Sequence, residues 1–212
     1  MHPKEAGIGE GISEVIVTTQ SVSGVPNAAP IGIITATNNN NRKGKDENEN
    51  NYFVKLYKGS KTLSNVQETN KLAANVTDDA VLFVKAAFEP LTESQFSLFY
   101  GFPVLKEANS WILFGCAFSE KSSESGNFLF RLTPLAVKTN RKEVEAINRG
   151  INAVIEAAII ATRNAITEDE QDRAEREKQM ALYARIVEKC GGSREKEALK
   201  ILQEKHRATM TK

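Results

Sequence analysis

The chain has 212 residues and a formal net charge of +1, with 28 lysines and arginines against 27 aspartates and glutamates. That length suits one large domain or a medium one with an appendage, and the charge balance gives no reason to expect nucleic acid or an anionic membrane as a general partner. The only histidines are His2 and His206, and the two cysteines, Cys116 and Cys190, lie far apart, which argues against a Ser-His-Asp triad, a Cys-His pair and the usual zinc sites.

Residues 1–11 are polar and glycine-rich, so neither a signal peptide nor a membrane span is expected. The cysteines read as reduced, mostly buried thiols of a cytoplasmic protein. Residues 12–19 carry Val15-Ile16-Val17 and predict a first strand, and Ser23-Gly24-Val25-Pro26 marks a turn. A second strand follows over residues 28–37, broken by Pro30 and Gly32. Proline there implies an edge or a bulge, and glycine implies close approach of a backbone or a ligand. Two readings stand: a bent barrel strand, or an irregular backbone that offers main-chain groups to a flat ring. Residues 38–51, NNNNRKGKDENENN, contain nothing apolar and predict a disordered loop inserted in a hairpin.

Tyr52, Phe53, Val54, Leu56 and Tyr57 form a third strand that Gly59 breaks. Ser60-Lys61-Thr62 then open a short helix, with Leu63, Val66, Leu72 and Ala73 at its apolar positions. A strand, a glycine and a hydroxyl-lysine-hydroxyl run at a helix start can hold a phosphate. The first turn has free N–H groups and the positive end of the dipole, Ser60 and Thr62 add hydroxyl donors, and Lys61 adds a charge. The same residues fit a turn and N-cap with a solvated lysine, and the glycine-rich lead of a P-loop is absent. Asn75-Val76-Thr77-Asp78-Asp79 is turn chemistry ahead of a fourth strand at residues 80–87. Adjacent on extended backbone, Asp78 and Asp79 point in opposite directions and make no acid–base pair.

Thr92-Glu93-Ser94-Gln95 fits a capping box before a helix at residues 93–99. The apolar run from Ser110 through Phe118 and the segment from Asn127 to Leu132 read as a hairpin around a polar loop. Trp111 suits a core or interface position, and Arg131 either a paired barrel position or a ligand clamp. About six strands without βαβ alternation predict an α+β chain built on a small antiparallel barrel. After Pro134 the pattern turns helical, with capping boxes at Asn140/Glu143 and Thr167/Glu170 and a Gly191-Gly192 stop. The expected division is a barrel domain over residues 1–137 and a three-helix subdomain over residues 138–212 that carries no catalytic set.

Ser60-Lys61-Thr62, Asn65-Val66, Glu68-Thr69 and Ala74-Asn75-Val76 resemble the S-x-T, N-(I/V), E-T and x-N-V run of flavin-reductase-like proteins with the FMN-binding split β-barrel. Asn27-Ala28-Ala29-Pro30-Ile31-Gly32 resembles the N-x-A-P-x-G segment of a mainly archaeal branch of that superfamily, domain-of-unknown-function family 447. The likeness continues through Asn148-Arg149-Gly150, Glu156-Ala157 and Ala161-Thr162-Arg163, and so spans nearly the whole chain. It implies a homodimer with FMN near the subunit interface. It also implies that Ser60, Lys61 and Thr62 hold the phosphate with Asn65 nearby, and that the backbone of Asn27, Ala28, Ala29 and Pro30 borders the ring. Asn75 and Thr77 would reach the ribityl chain or ring edge. The resemblance names no catalytic residue and no metal, and any chemistry would be the flavin's, in an oxidoreductase or flavin-reductase-like protein. The basic set of a pyridoxine-phosphate oxidase is not recognised. Two alternatives stay open: a non-catalytic FMN carrier or sensor, and a barrel for another phosphorylated or deazaflavin cofactor.

Overall fold

The computed structural model describes residues 2–9, 11–36, 51–121, 127–140, 149–164, 166 and 169–210. The loop expected at residues 38–51 lies outside them except for Asn51, which is already in a strand; Glu143 and Thr167 of the two expected capping boxes lie outside them too. The chain forms two compact units, Met1–Thr77 with Pro90–Lys142 and Asp78–Glu89 with Glu143–Lys212.

The first unit is a closed antiparallel barrel of six strands: β1 (Gly11–Gln20), β2 (Pro26–Ala36), β3 (Asn51–Leu56), β4 (Lys71–Val76), β7 (Ser110–Lys121) and β8 (Phe128–Thr139), ordered β1-β2-β3-β8-β7-β4. Alternation along each strand decides which face each side chain takes. Val15, Val17, Ile33, Tyr52, Val54, Leu72, Ala74, Ile112, Phe114, Phe130 and Leu132 share one buried cluster, to which α1 (Lys61–Thr69) adds Leu63 and Val66. The intervening residues Ile16, Thr18, Ala73 and Asn75 are equally buried. The hairpin of β5 (Phe96–Phe99) and β6 (Phe102–Leu105) is fastened over them: Thr18 donates to Pro103 O at 2.6 Å, and Leu105 N–H donates to Asn75 Oδ1 at 2.7 Å. Trp111 Nε1 donates to Leu105 O at 2.8 Å, so the tryptophan is a core residue of this layer.

Four expectations are corrected. Residues 80–87 are not a strand but lie in α2 (Ala80–Phe88), because Asp79 Oδ1 accepts from the N–H groups of Val81 and Leu82 at 2.9 and 3.0 Å and caps a helix. The barrel strand in that region is β4, whose Leu72 and Ala73 the helical pattern had claimed. Asn70, left-handed at φ 54°, ends α1 and releases the chain into it. The helix expected at residues 93–99 shrinks to one 3-10 turn, Glu93–Gln95, ahead of β5, although Gln95 Oε1 does reach back to Thr92 N–H at 3.0 Å. Pro134 does not end the sheet: β8 runs on to Thr139, with a register shift between Leu113 and Phe114 where the proline is accommodated.

The second unit is helical, comprising α2, α3 (Arg149–Asn164), α4 (Glu170–Cys190) and α5 (Ser193–Met210), so one helix joins the three expected. Its core gathers Val81 and Val84, Val154, Ala157, Ala158 and Ala161, Met180 and Val187, and Ala198, Leu199 and Leu202. Asp169 caps α4 by accepting from the N–H groups of Asp172 and Gln171 at 3.0 and 2.8 Å, and these bonds hold its carboxyl below the ordinary value. Among the described residues no helix is long and apolar enough to cross a membrane.

Candidate functional site

The chain leaves β3 through one tight turn. Ser60 N–H donates to Tyr57 O at 3.1 Å, and Gly59 takes φ +80°, the left-handed third position that a type II turn requires. Ser60 is extended, and its Oγ accepts from Leu63 N–H at 3.2 Å, making it the N-cap of α1. The N–H groups of Lys61 and Thr62 have no partner within the helix. No acidic residue lies in this first turn, and Lys61 is exposed, so no carboxylate of that turn faces the positive end of the helix.

Two side-chain hydrogen bonds, one part-buried and one buried, hold α1 to the barrel. Asn27 Nδ2 donates to Thr62 Oγ1 at 3.2 Å, and Asn65 Nδ2 donates to Thr19 Oγ1 at 3.0 Å. Thr62 and Asn65 are 3 % exposed and Thr19 is 0 % exposed, so α1 turns its polar inner positions toward β1 and β2. β2 pairs with β1 from Pro26 to Thr35, but with β3 only from Ile33 onward. Among the described residues, residues 26–32 therefore have one edge without a partner strand, and Pro30, which has no N–H to offer a ladder, sits in that stretch. The half-buried Ala28, Ala29 and Pro30 line it. Through Asn27 and Thr62 the open edge is joined to the N-terminus of α1. Gly32 serves packing here, since a Cβ would come within 2.6 Å of Ile12 Cγ2.

Asn75 occupies a different place. It is 0 % exposed; its Nδ2 lies within hydrogen-bonding distance of Ile16 O at 2.8 Å, Thr18 Oγ1 at 3.0 Å and Ala73 O at 3.3 Å, while Oδ1 accepts from Leu105 N–H. Its contacts are with β1, β4 and the hairpin, not with α1. Thr77 is half-buried, one residue beyond β4. Arg131 donates to Asn51 Oδ1 at 2.8 Å and is a paired barrel residue. The structure thus brings Asn27, Thr62 and Asn65 together beside Ser60 and Lys61, and adds Thr19, which the sequence reading missed. The available signal was alternation: Val15 and Val17 face the core, so Thr19 places a hydroxyl on the same inward face. Among the described residues no three metal-ligating side chains cluster.

Two family models match the chain: protein of unknown function (DUF447) N-terminal domain over residues 13–141, and protein of unknown function (DUF447) over residues 148–204. Among solved structures, an FMN-bound protein from Methanosarcina mazei of the same family model is 38% identical, with a TM-score of 0.80, and the match covers 96% of this chain and 100% of that one. An FMN-binding protein from Thermus thermophilus with bound p-hydroxybenzaldehyde is 14% identical over 64% of this chain and 75% of that one, with a TM-score of 0.47. Nitrilotriacetate monooxygenase component B from Bacillus cereus is 15% identical over 70% and 81%, with a TM-score of 0.48. The last two likenesses are too slight to carry weight.

Proposed function

The chain belongs to the DUF447 family, and from that premise we propose that it is an FMN-binding flavoprotein, with the cofactor along the open edge of β2 and its phosphate at the N-terminus of α1. One observation carries the reading: an unpaired strand edge and an acid-free helix N-terminus are tied to each other by the Asn27–Thr62 hydrogen bond. A planar ring with hydrogen-bonding edges and a dianionic tail needs that pair of features, and a dinucleotide-binding glycine loop is not required. The FMN-bound relative, alike over nearly the whole of both chains, supports the same cofactor.

In this reading the N–H groups of Lys61 and Thr62, the Thr62 hydroxyl and the Lys61 ammonium meet the phosphate, with Ser60 holding the turn that presents them. The main chain of Asn27, Ala28, Ala29 and Pro30 borders the ring, and Thr77 meets the ribityl chain or ring edge. Asn65 and Asn75 hold the walls in place: their amides are already engaged with Thr19 and with β1, β4 and the hairpin. The bound flavin supplies hydride or electron transfer, and the chain supplies binding and orientation. We assign it to the flavin-reductase-like oxidoreductases, acting as a homodimer with the flavin near the subunit interface.

The test is titration of the purified protein with FMN and with riboflavin, which differ only by the phosphate, followed by flavin fluorescence. A preference for FMN supports the reading, and equal affinity for the two removes the phosphate site from it. Bleaching of the bound flavin by a reduced nicotinamide separates an oxidoreductase from a carrier.

A further inference from the structure

The Thr19–Asn65 hydrogen bond has no obvious need to exist if α1 is only a cover for the barrel. Leu63 and Val66 already bury α1 against the core, but an apolar stripe about 100° wide sets the rotation of a helix about its axis only coarsely. Directional bonds fix it. Asn65 lies one helical turn beyond Lys61 on the same face, and Thr69 Oγ1 donates back to Asn65 O at 2.8 Å, so the residue that grips Thr19 is itself braced. Together with Asn27–Thr62, the helix is held at two points.

We infer that Thr19 is a positioning residue for the phosphate site, acting through Asn65 to fix the rotation of α1 and so the aim of its first N–H groups. The inference rests on the FMN reading above. With helix Cα atoms about 2.3 Å from the axis, a rotation of roughly 20° moves the N-terminal groups by about 0.8 Å. That shift stretches a hydrogen bond of about 2.9 Å beyond useful length. The ring and its strand edge, on β2, are unaffected. Thr19 therefore governs the discrimination between FMN and riboflavin rather than flavin binding as a whole.

The experiment compares wild type, Thr19→Val, Thr19→Ser and the double variant Thr19→Val/Asn65→Leu, each titrated with FMN and riboflavin and checked for folding by thermal melting. In the double variant both partners are apolar and no buried amide is orphaned, so it keeps the comparison available if Thr19→Val alone does not fold. The expected result is an approximately tenfold weaker FMN complex for both valine-bearing variants, riboflavin affinity within about twofold of wild type, and wild-type behaviour for Thr19→Ser. Equal weakening for the two ligands, or no change for either, overturns the positioning role. Failure of the underlying reading looks different, because it appears in the wild type as no preference for FMN.

Discussion

Reversing the charge at position 61 probes the phosphate site without disturbing what builds it. Lys61 is the first residue of α1, exposed, and outside both the Ser60 cap and the ties to the barrel. A glutamate there interacts favourably with the helix dipole, so Lys61→Glu leaves the melting temperature unchanged or slightly raised. A phosphate of about two negative charges, roughly 6 Å from the ammonium in water, gains about 1.4 kcal/mol. Reversal doubles the difference to about 2.8 kcal/mol, and screening over a Debye length of about 8 Å at 0.15 M salt reduces it to roughly half. FMN affinity should therefore fall about tenfold at 0.15 M salt and only about twofold at 1 M, where the Debye length is about 3 Å. The assay is quenching of flavin fluorescence at both salt concentrations, with riboflavin in parallel. Riboflavin, lacking the phosphate, should show no change. A loss shared by both ligands, or one that salt does not relieve, refutes an anion at this helix end.

Three further outcomes follow from the packing and ionisation. Asn75→Ala orphans Leu105 N–H and Ile16 C=O in a fully buried site, at about 1–3 kcal/mol each, so urea denaturation should show a loss of roughly 2–6 kcal/mol and amide exchange should quicken in the β5–β6 hairpin; a loss under about 1 kcal/mol contradicts its role as the fastener. Burial pushes the Cys116 thiol up to about 12, so in a Cys190→Ser background a thiol reagent at about pH 8 should label the protein only after unfolding. The Asp169 carboxylate, held low by the Asp172 and Gln171 N–H groups, stabilises α4 above the ordinary carboxylate range and loses that effect as pH falls through its own depressed value. Asp169→Asn should therefore flatten the loss of helicity seen by circular dichroism as pH falls below the ordinary carboxylate range.

What was legible in the chain was what short-range chemistry decides. The start of α1 is written in Gly59 and Ser60, because the left-handed turn and the capping hydroxyl act within four residues. Residues 80–88 show the opposite case: Ala-Val-Leu-Phe-Val-Lys-Ala-Ala-Phe is apolar enough for a buried strand or a buried helix, and the helical form is the one whose Ala80, Val81 and Val84 pack with α3, α4 and α5, residues far off in sequence. The β5–β6 hairpin stayed hidden because its two-residue turn uses Tyr100 and Gly101 at φ 50° and 74°, where the familiar sequence signal is Asn-Gly. At the site, the hydroxyl-lysine-hydroxyl run announced the helix N-terminus. Thr19 did not announce itself, since its meaning depends on β1 and β2 pairing in register and on α1 folding back over them. Asn75 shows how far a motif goes: it marked the residue as special, while the tertiary structure shows what the amide holds.

The central claim, that this fold carries FMN, is tested most directly by mass spectrometry of the small molecule released on denaturing protein purified without added flavin, alongside the absorption spectrum of the intact protein. The account predicts a flavin spectrum and the mass of FMN, recovered again after the stripped protein is reconstituted with a mixture of FMN, riboflavin and a deazaflavin. A different phosphorylated or deazaflavin compound in that fraction, or stripped protein that takes up no FMN from the mixture, would contradict it.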